Sequence, residues 1–404
     1  MDKINKLRTI HSSRWLGWTA LAVMLLHLVP DPIQGCTVGL VSGRSTVDGR
    51  PLLWKNRDTS NRNNELAFFR GPQYDFIGVI NSDDTTQVWM GVNTAGFAIM
   101  NAESLDQPGD SVDTEGFFMK TALGLCGNLQ DFEELLRLTN LAGRGTKSNF
   151  GCIDAHGGAA FYETGNRSYN KIDSQDPIAA PRGSLVRANF SMTGIGDENA
   201  YGTWRFHRAR ELFDRAIADN RMSHQFILQQ VARDILLPDI DPYPLPFAGR
   251  QGKAPKGAVR TQDSINRHRT ASCAVFHGVK PGETPSLTTM WLILGEPLAG
   301  VAVPLWPAAG AVDYLDGKGG SELNRRIQAV ESKLYPYRKW PHYLKTQELV
   351  GSRSSILTSY RDFEDQIFSA TAQVLQTWRS RMPGLQEIRE FEQDQILRVL
   401  RFLR

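Results

Sequence analysis

The chain has 404 residues, 41% of them hydrophobic and 22% charged, with 46 Lys and Arg against 43 Asp and Glu. This composition excludes a disordered, collagen-like or disulfide-dense polypeptide and suffices for one large domain or two smaller ones. Most of the +3 charge sits at the amino terminus: without residues 1–35 there are 42 basic and 41 acidic groups, which gives no electrostatic case for nucleic acid.

In chain order, Lys3, Lys6, Arg8 and Arg14 precede an apolar run over residues 15–29, which Pro30-Asp31-Pro32 breaks. As a helix that run spans about 22 Å, short of the ~30 Å hydrocarbon core of a bilayer. Residues 1–35 therefore read as a signal peptide or propeptide, and the product as exported, periplasmic or extracellular. The alternative is a single amino-terminal anchor, so the membrane enters only through an uncleaved signal or a lipid.

The first half then reads mostly as strands: 37–42, 51–54, 76–80, 87–92, 97–101, 150–154, 159–163 and 185–189. The first two flank Asp48-Gly49, a hairpin signal. Asn128 can cap a helix carrying Leu129, Phe132, Leu135 and Leu136 on one face. A second helix carries Phe206, Ala209, Leu212, Phe213, Ala216 and Ile217, and a third covers about 223–235. A Pro- and Gly-rich excursion over 238–269 is the candidate substrate-facing lid. Strands resume at 271–279 and 288–294. Two amphipathic helices close the chain, one lined by Phe363, Ile367, Phe368, Val374, Leu375 and Trp378, the other over 385–403. The pattern predicts an α+β fold of antiparallel sheets covered by helices, with one domain over 36–345 and a helical extension over 346–404.

The cysteines are Cys36, Cys126, Cys152 and Cys273. None forms a Cys-x-x-Cys pair and there is no His-Glu-x-x-His, so no metal or other cofactor is called for. An oxidising compartment would allow one disulfide among the last three. Gly143 to Ser148 lacks the glycine that a phosphate loop needs before its lysine. His156, His268 and His277 are scattered, with no Gly-x-Ser-x-Gly to serve.

Cys36 stands apart because it directly follows the signal. Cleavage after Gly35 would leave a chain beginning with a thiol and a free α-amine. The amine, with a pKa of about 7.7–8.0, can accept a proton from a thiol of about 8.5 at neutral pH, so one residue supplies nucleophile and base. The competing readings are a buried inert cysteine and a lipidated one. Ile33-Gln34-Gly35-Cys36 loosely resembles a lipobox, though Asp31 and Pro32 interrupt the apolar run. A two-residue turn at Asp48-Gly49 sets Cys36 opposite position 61, and a wider turn sets it opposite Asp58. Either way Lys55-Asn56-Arg57-Asp58 lies beside the new terminus. Asp58 can hold the amine; Lys55 or Arg57 can favour a thiolate or grip a carboxylate.

The run CTVGLVSGRSTVDGRPLLWKNRD resembles the start of the cysteine N-terminal nucleophile hydrolases: the choloylglycine hydrolases, penicillin V acylases and isopenicillin-N acyltransferase-like proteins. Their mature chains begin Cys-Thr, pass an Asp-Gly hairpin and reach Arg-Asn-x-Asp. Here lysine replaces the arginine, as Lys55, and Asp58 matches the aspartate that orients the nucleophile. GVNTAGFAIMNAES implies an oxyanion-hole asparagine at Asn101, VRANFS a second at Asn189, and WRFHRARELF a supporting arginine at Arg205. TMWLILGEP and the Pro304 to Trp306 segment resemble the closing strands, so the likeness covers about residues 36–306. It implies an αββα sandwich and hydrolysis or acyl transfer at a linear amide of a small molecule, without a cofactor. A dipeptidase with the same Cys-Thr start is the alternative substrate class, and a non-catalytic lipoprotein anchored through Cys36 the alternative function. Asn166 and Asn189 also head glycosylation sequons by pattern. Oligomeric state is not legible. The likeness also suggests that Cys36 completes its own exposure, by attack on the Gly35 carbonyl.

Overall fold

Antiparallel hairpin geometry sets the position of Cys36. Strands β1 (Thr37–Val41) and β2 (Leu52–Asp58) pair as expected, and Gly49 takes a φ of +76° in the turn between them. The connection is longer than the turn arithmetic allows, because a 3₁₀ turn at Gly43–Ser45, capped by the Ser42 hydroxyl, precedes Asp48. Thr37 pairs with Asn56 and Val38 with Lys55. Continued by one pair, this register sets Cys36 opposite Arg57, and corrects the expected partners at 61 or Asp58. The computed structural model describes residues 35–110, 112–195, 201–317, 319–350 and 355–404. The expected export signal lies outside them except for Gly35.

Along the chain follow β3 (Asn64–Phe69), β4 (Phe76–Asn81), β5 (Met90–Asn93) and β6 (Ala98–Glu103), then helices α1 (Glu115–Leu125) and α2 (Leu129–Ala142). Next are β7 (Ser148–Ile153), β8 (Ala159–Thr164), β9 (Tyr169–Asp173), β10 (Ser184–Arg187) and α3 (Thr203–Ala218). The last part holds β11 (Ala258–Arg260), β12 (Thr270–His277), β13 (Thr289–Ile293), β14 (Val303–Leu305), α4 (Glu322–Leu334), β15 (Tyr343–Lys345), α5 (Ile356–Ser380) and α6 (Leu385–Phe402). One sheet has the order β10-β1-β2-β12-β13-β14; the other runs β3 to β9 in sequence; β11 and β15 pair separately. All these pairings are antiparallel.

Period-two alternation places Val38, Leu40 and Leu53 of the first sheet in one core with Met100, Ala102, Ile153 and Phe161 of the second. The opposite face of the second sheet buries Phe97, Phe150 and Tyr162 against Phe118 of α1 and Phe132 of α2. On the outer face of the first sheet Phe213 of α3 lies against Trp54. It covers Gly39, where a Cβ would come within 2.8 Å of the Phe213 ring. Trp378 of α5 meets Trp306 at 5.3 Å, and the Trp306 amide donates to Glu392 of α6. The layers are thus helix, sheet, sheet, helix, the αββα sandwich anticipated.

Asn128 caps α2 as expected, accepting from the Asp131 amide. The helix anticipated over 223–235 is shorter, with helical turns only at His224–Phe226 and Ile227–Val231. All four cysteines are free thiols, so none of Cys126, Cys152 and Cys273 is bridged. Asn189 is fully buried, which makes it unavailable as a glycan acceptor in the folded protein. Among the described residues no helix is long and apolar enough to cross a membrane, and no group of His, Cys, Asp or Glu could hold a metal ion.

Candidate active site

Cys36 lies just ahead of β1, about one-tenth exposed, and its backbone is clamped by Arg205 from the first turn of α3. One nitrogen of that guanidinium, Nη1, donates to the carbonyls of Gly35 (3.0 Å) and Cys36 (2.6 Å) and to Thr37 Oγ1 (2.8 Å). Its Nη2 donates to Asn189 Oδ1 at 2.9 Å. Burial, with the neighbouring Arg267 charge, pulls Arg205 down to about 10 against the opposing pull of Asp58. The sequence placed Arg205 as support; the structure gives it three hydrogen bonds at the start of the first strand and a fourth to Asn189.

Asp58, at the end of β2, is buried and fully engaged. Thr270, its partner across the β2–β12 register, donates to Oδ1 at 2.7 Å. Arg267 Nη1 donates to Oδ2 at 3.0 Å and to the Gly35 carbonyl at 3.1 Å, while Nη2 reaches the Tyr201 hydroxyl at 3.0 Å. Burial works against the Arg267 charge, but Asp58 and Tyr201 outweigh it and hold the guanidinium above its ordinary value. Arg267 comes from the last residues of the Pro- and Gly-rich excursion. Asn56 pins that segment by donating to the carbonyl of Ile265 at 3.2 Å.

Lys55 and Arg57 point from β2 toward the second sheet. The Lys55 ammonium donates to Asn101 Oδ1 at 2.7 Å and to the Trp89 carbonyl at 3.0 Å. Arg57 donates to Asn64 Oδ1 (2.6 Å) and Asn81 Oδ1 (2.8 Å), and its guanidinium stacks 4.7 Å from the Trp89 ring centroid. Among the described residues neither forms an ion pair. Burial pulls Lys55 down to about 8, and a Cys36 thiolate is the largest opposing influence. Arg57 is drawn down to about 10 for the same reason and is likewise held up by Cys36 and Asp58. Glu115, at the start of α1, also acts on Lys55; burial and Asp113 raise its own carboxyl to about 7.

The two asparagines expected to hold an oxyanion have their amide donors engaged by the protein. Asn101 Nδ2 donates to Ser148 Oγ at 3.0 Å, and Asn189 Nδ2 to the Glu103 carbonyl at 3.1 Å. Asn101 thus holds Lys55, and Asn189 holds Arg205. Cys36, Asp58, Asn189 and Arg205 gather around the 35–36 peptide bond, while Lys55 of β2 meets Asn101 of the second sheet. The sequence reading missed Arg267, Thr270, Tyr201 and Ser148. The register of β2 with β12 would have found Thr270; no local pattern marks Arg267.

No protein-family model matches the chain, and no curated protein matches it. Among solved structures it is similar to a mutant conjugated bile acid hydrolase from Clostridium perfringens, at 13% identity and a TM-score of 0.42 over 70% of this chain and 94% of that one. It is also similar to a Caenorhabditis elegans ortholog of N-acylethanolamine-hydrolyzing acid amidase, at 12% identity and 0.40 over 62% and 94%. Penicillin V acylase from Agrobacterium tumefaciens matches at 12% identity and 0.39 over 71% and 88%.

Proposed function

We propose that this protein is an exported amidohydrolase or acyltransferase of the cysteine N-terminal nucleophile kind, acting on linear amide bonds of small molecules through a thioester on Cys36. The observation that carries this reading is the surroundings of Cys36. Its backbone is clamped by Arg205, a buried carboxylate at Asp58 is one guanidinium away from the 35–36 bond, and two buried cations approach from β2. A structural cysteine at a strand end needs none of these. A diacylglyceryl thioether would need open space, and Cys36 is buried.

Once residues 1–35 are removed, the Cys36 α-amine can take the thiol proton while Asp58 holds the amine in place. The thiolate adds to the substrate carbonyl, and the oxyanion needs fixed donors, each worth about 2.7–4 kcal/mol in a comparable acyl-transfer site. Collapse releases the amine, which leaves with the proton from the α-ammonium. Water then hydrolyses the thioester, or a second amine accepts the acyl group. Two loops beside Asn189 expose Leu105 (43%), Val112 (72%), Met192 (59%) and Ile195 (82%); the Leu105 amide itself donates to the Asn189 carbonyl. Exposed apolar side chains on these loops suit an acyl group with a hydrocarbon portion.

The test is turnover of a panel of N-acyl amides of increasing acyl length, with dipeptides alongside. Acyl amides should be cleaved by the wild type and not by Cys36→Ala, with rates favouring apolar acyl groups. Cleavage of dipeptides alone would replace this substrate class with the dipeptidase one, and cleavage by Cys36→Ala at the wild-type rate would end the reading.

A further inference from the structure

The Gly35 carbonyl oxygen accepts from two buried guanidinium groups, Arg205 Nη1 at 3.0 Å and Arg267 Nη1 at 3.1 Å. One neutral donor satisfies a peptide carbonyl; two cationic donors on one oxygen suit an oxygen that becomes negative. The cradle is shaped around glycine. A Cβ at residue 35 would lie 2.6 Å from Tyr201 Cε1, 2.7 Å from Arg267 Nη1 and 2.9 Å from Arg205 Nη2.

Before the 35–36 bond is cut, the nitrogen of Cys36 belongs to an amide and has no basic lone pair. It cannot take the thiol proton as the free α-amine does in turnover, so exposure of Cys36 by its own thiol needs another acceptor. The charged groups facing this site are Arg57 and Asp58 on β2, Arg205 on α3, Arg267, and Glu115 on α1. Asp58 is held as the counter-ion of Arg267, which makes it a poor proton acceptor, and Glu115 binds Thr146 and the Lys147 amide through Oε1 alone and faces Asp113. Lys55 is different. A neutral amine there keeps two N–H donors for its two acceptors, Trp89 O and Asn101 Oδ1, and has a lone pair left over.

We infer that the 35–36 bond is cut with different helpers from those of turnover: Arg205 and Arg267 hold the oxyanion formed on the Gly35 oxygen, and Lys55 accepts the Cys36 thiol proton. This rests on the proposed function. In the step, the thiol proton passes to the Lys55 amine as the Sγ–C bond to Gly35 forms, and the carbonyl electron pair moves onto oxygen. Collapse breaks the C–N bond, and the Lys55 ammonium returns the proton to the departing Cys36 nitrogen. Water hydrolyses the resulting thioester, leaving a Gly35 carboxylate and a free Cys36. Burial brings Lys55 to about 8, where about one-tenth of the amine is neutral at pH 7 and about half at pH 8.

The test uses the full chain made by cell-free synthesis without peptidases, with release of residues 1–35 followed by intact mass across pH 6 to 9.5 (roughly two units either side of the Lys55 value). Wild type should mature faster as pH rises, levelling above about 8. Lys55→Arg keeps the charge but has no titratable lone pair in this range; it should be slower by about 10²-fold and lose the rise. Arg267→Met should be slower by about 10²–10³-fold at every pH while keeping the rise. Gly35→Val should not mature. Hydroxylamine should convert the released wild-type leader to a Gly35 hydroxamate, marking the thioester. Circular dichroism checks each fold, and Arg267→Lys, expected at an intermediate rate, replaces Arg267→Met if that variant misfolds. Wild-type rates and pH profiles for both the Lys55 and Arg267 variants would overturn the inference. Retention of residues 1–35 by Cys36→Ala in the same series would leave the proposed function standing, whereas its maturation at the wild-type rate would remove self-cleavage altogether.

Discussion

Arg267 Nη1 donates to both Asp58 Oδ2, at 3.0 Å, and the carbonyl oxygen of Gly35, at 3.1 Å. A single nitrogen thereby ties the carboxylate at the end of β2 to the peptide bond that precedes Cys36. The two partners are about one-tenth exposed or less, so the ion pair is removed from solvent.

Removing one member of such a pair leaves the other charge buried alone. Asp58→Ala should lower unfolding stability by about 3–5 kcal/mol, read from urea denaturation, and should abolish turnover. Thr270→Val removes only the 2.7 Å hydrogen bond to Oδ1. Its stability loss should be about 1 kcal/mol, with a fall in kcat and an unchanged fold. A Thr270→Val enzyme with wild-type kcat would detach Asp58 from catalysis.

Lys55 yields a prediction with a definite sign. Its folded-state value is depressed to about 8 from 10.5, so between these limits the unfolded chain binds more protons and stability rises with pH. The burial penalty is fully present below about 8 and disappears as pH approaches about 10.5, a span of about 3 kcal/mol. The stability difference between wild type and Lys55→Met should therefore move in favour of wild type by up to that amount from pH 7 to 10. Parallel pH curves for the two proteins would show that Lys55 titrates normally.

The carboxy-terminal helices should be part of the folding unit. Arg233 forms a bidentate pair with Glu364 of α5, at 2.7 and 2.8 Å, with both side chains buried, and the same guanidinium donates to the Gly300 carbonyl. Glu364→Ala should cost about 3–5 kcal/mol. Deleting residues 346–404 would bare Trp306 and should yield insoluble protein. A truncated chain that stays soluble and melts cooperatively would make the helices an independent addition.

How much of this was legible in the sequence depended on how local the cause was. Asn128 announced its helix because a cap and its apolar stripe lie within a few residues. The strands with alternating Val, Leu and Ile were equally plain. Helix α1 was hidden because Thr114 makes no side-chain cap and Gly116 and Gly124 dilute its pattern. The hairpin was visible but its register was not, since the 3₁₀ turn at Gly43–Ser45 alters the count between the strands. The residue types expected around Cys36 are present, yet the amide donors of Asn101 and Asn189 turn out to be bound within the protein. Arg267 lies 209 residues from Asp58, in a segment whose prolines and glycines signal only irregular chain. Its role follows from tertiary packing, which no window of sequence contains.

The proposed chemistry requires Cys36 to become a terminal nucleophile with a free amine. Mass spectrometry of the amino-terminal peptide of the active protein decides this. The expected chain begins at Cys36, with an unmodified α-amine and a free thiol. A diacylglyceryl group on Cys36, an acylated amine, or an active enzyme that still carries Gly35 would contradict it.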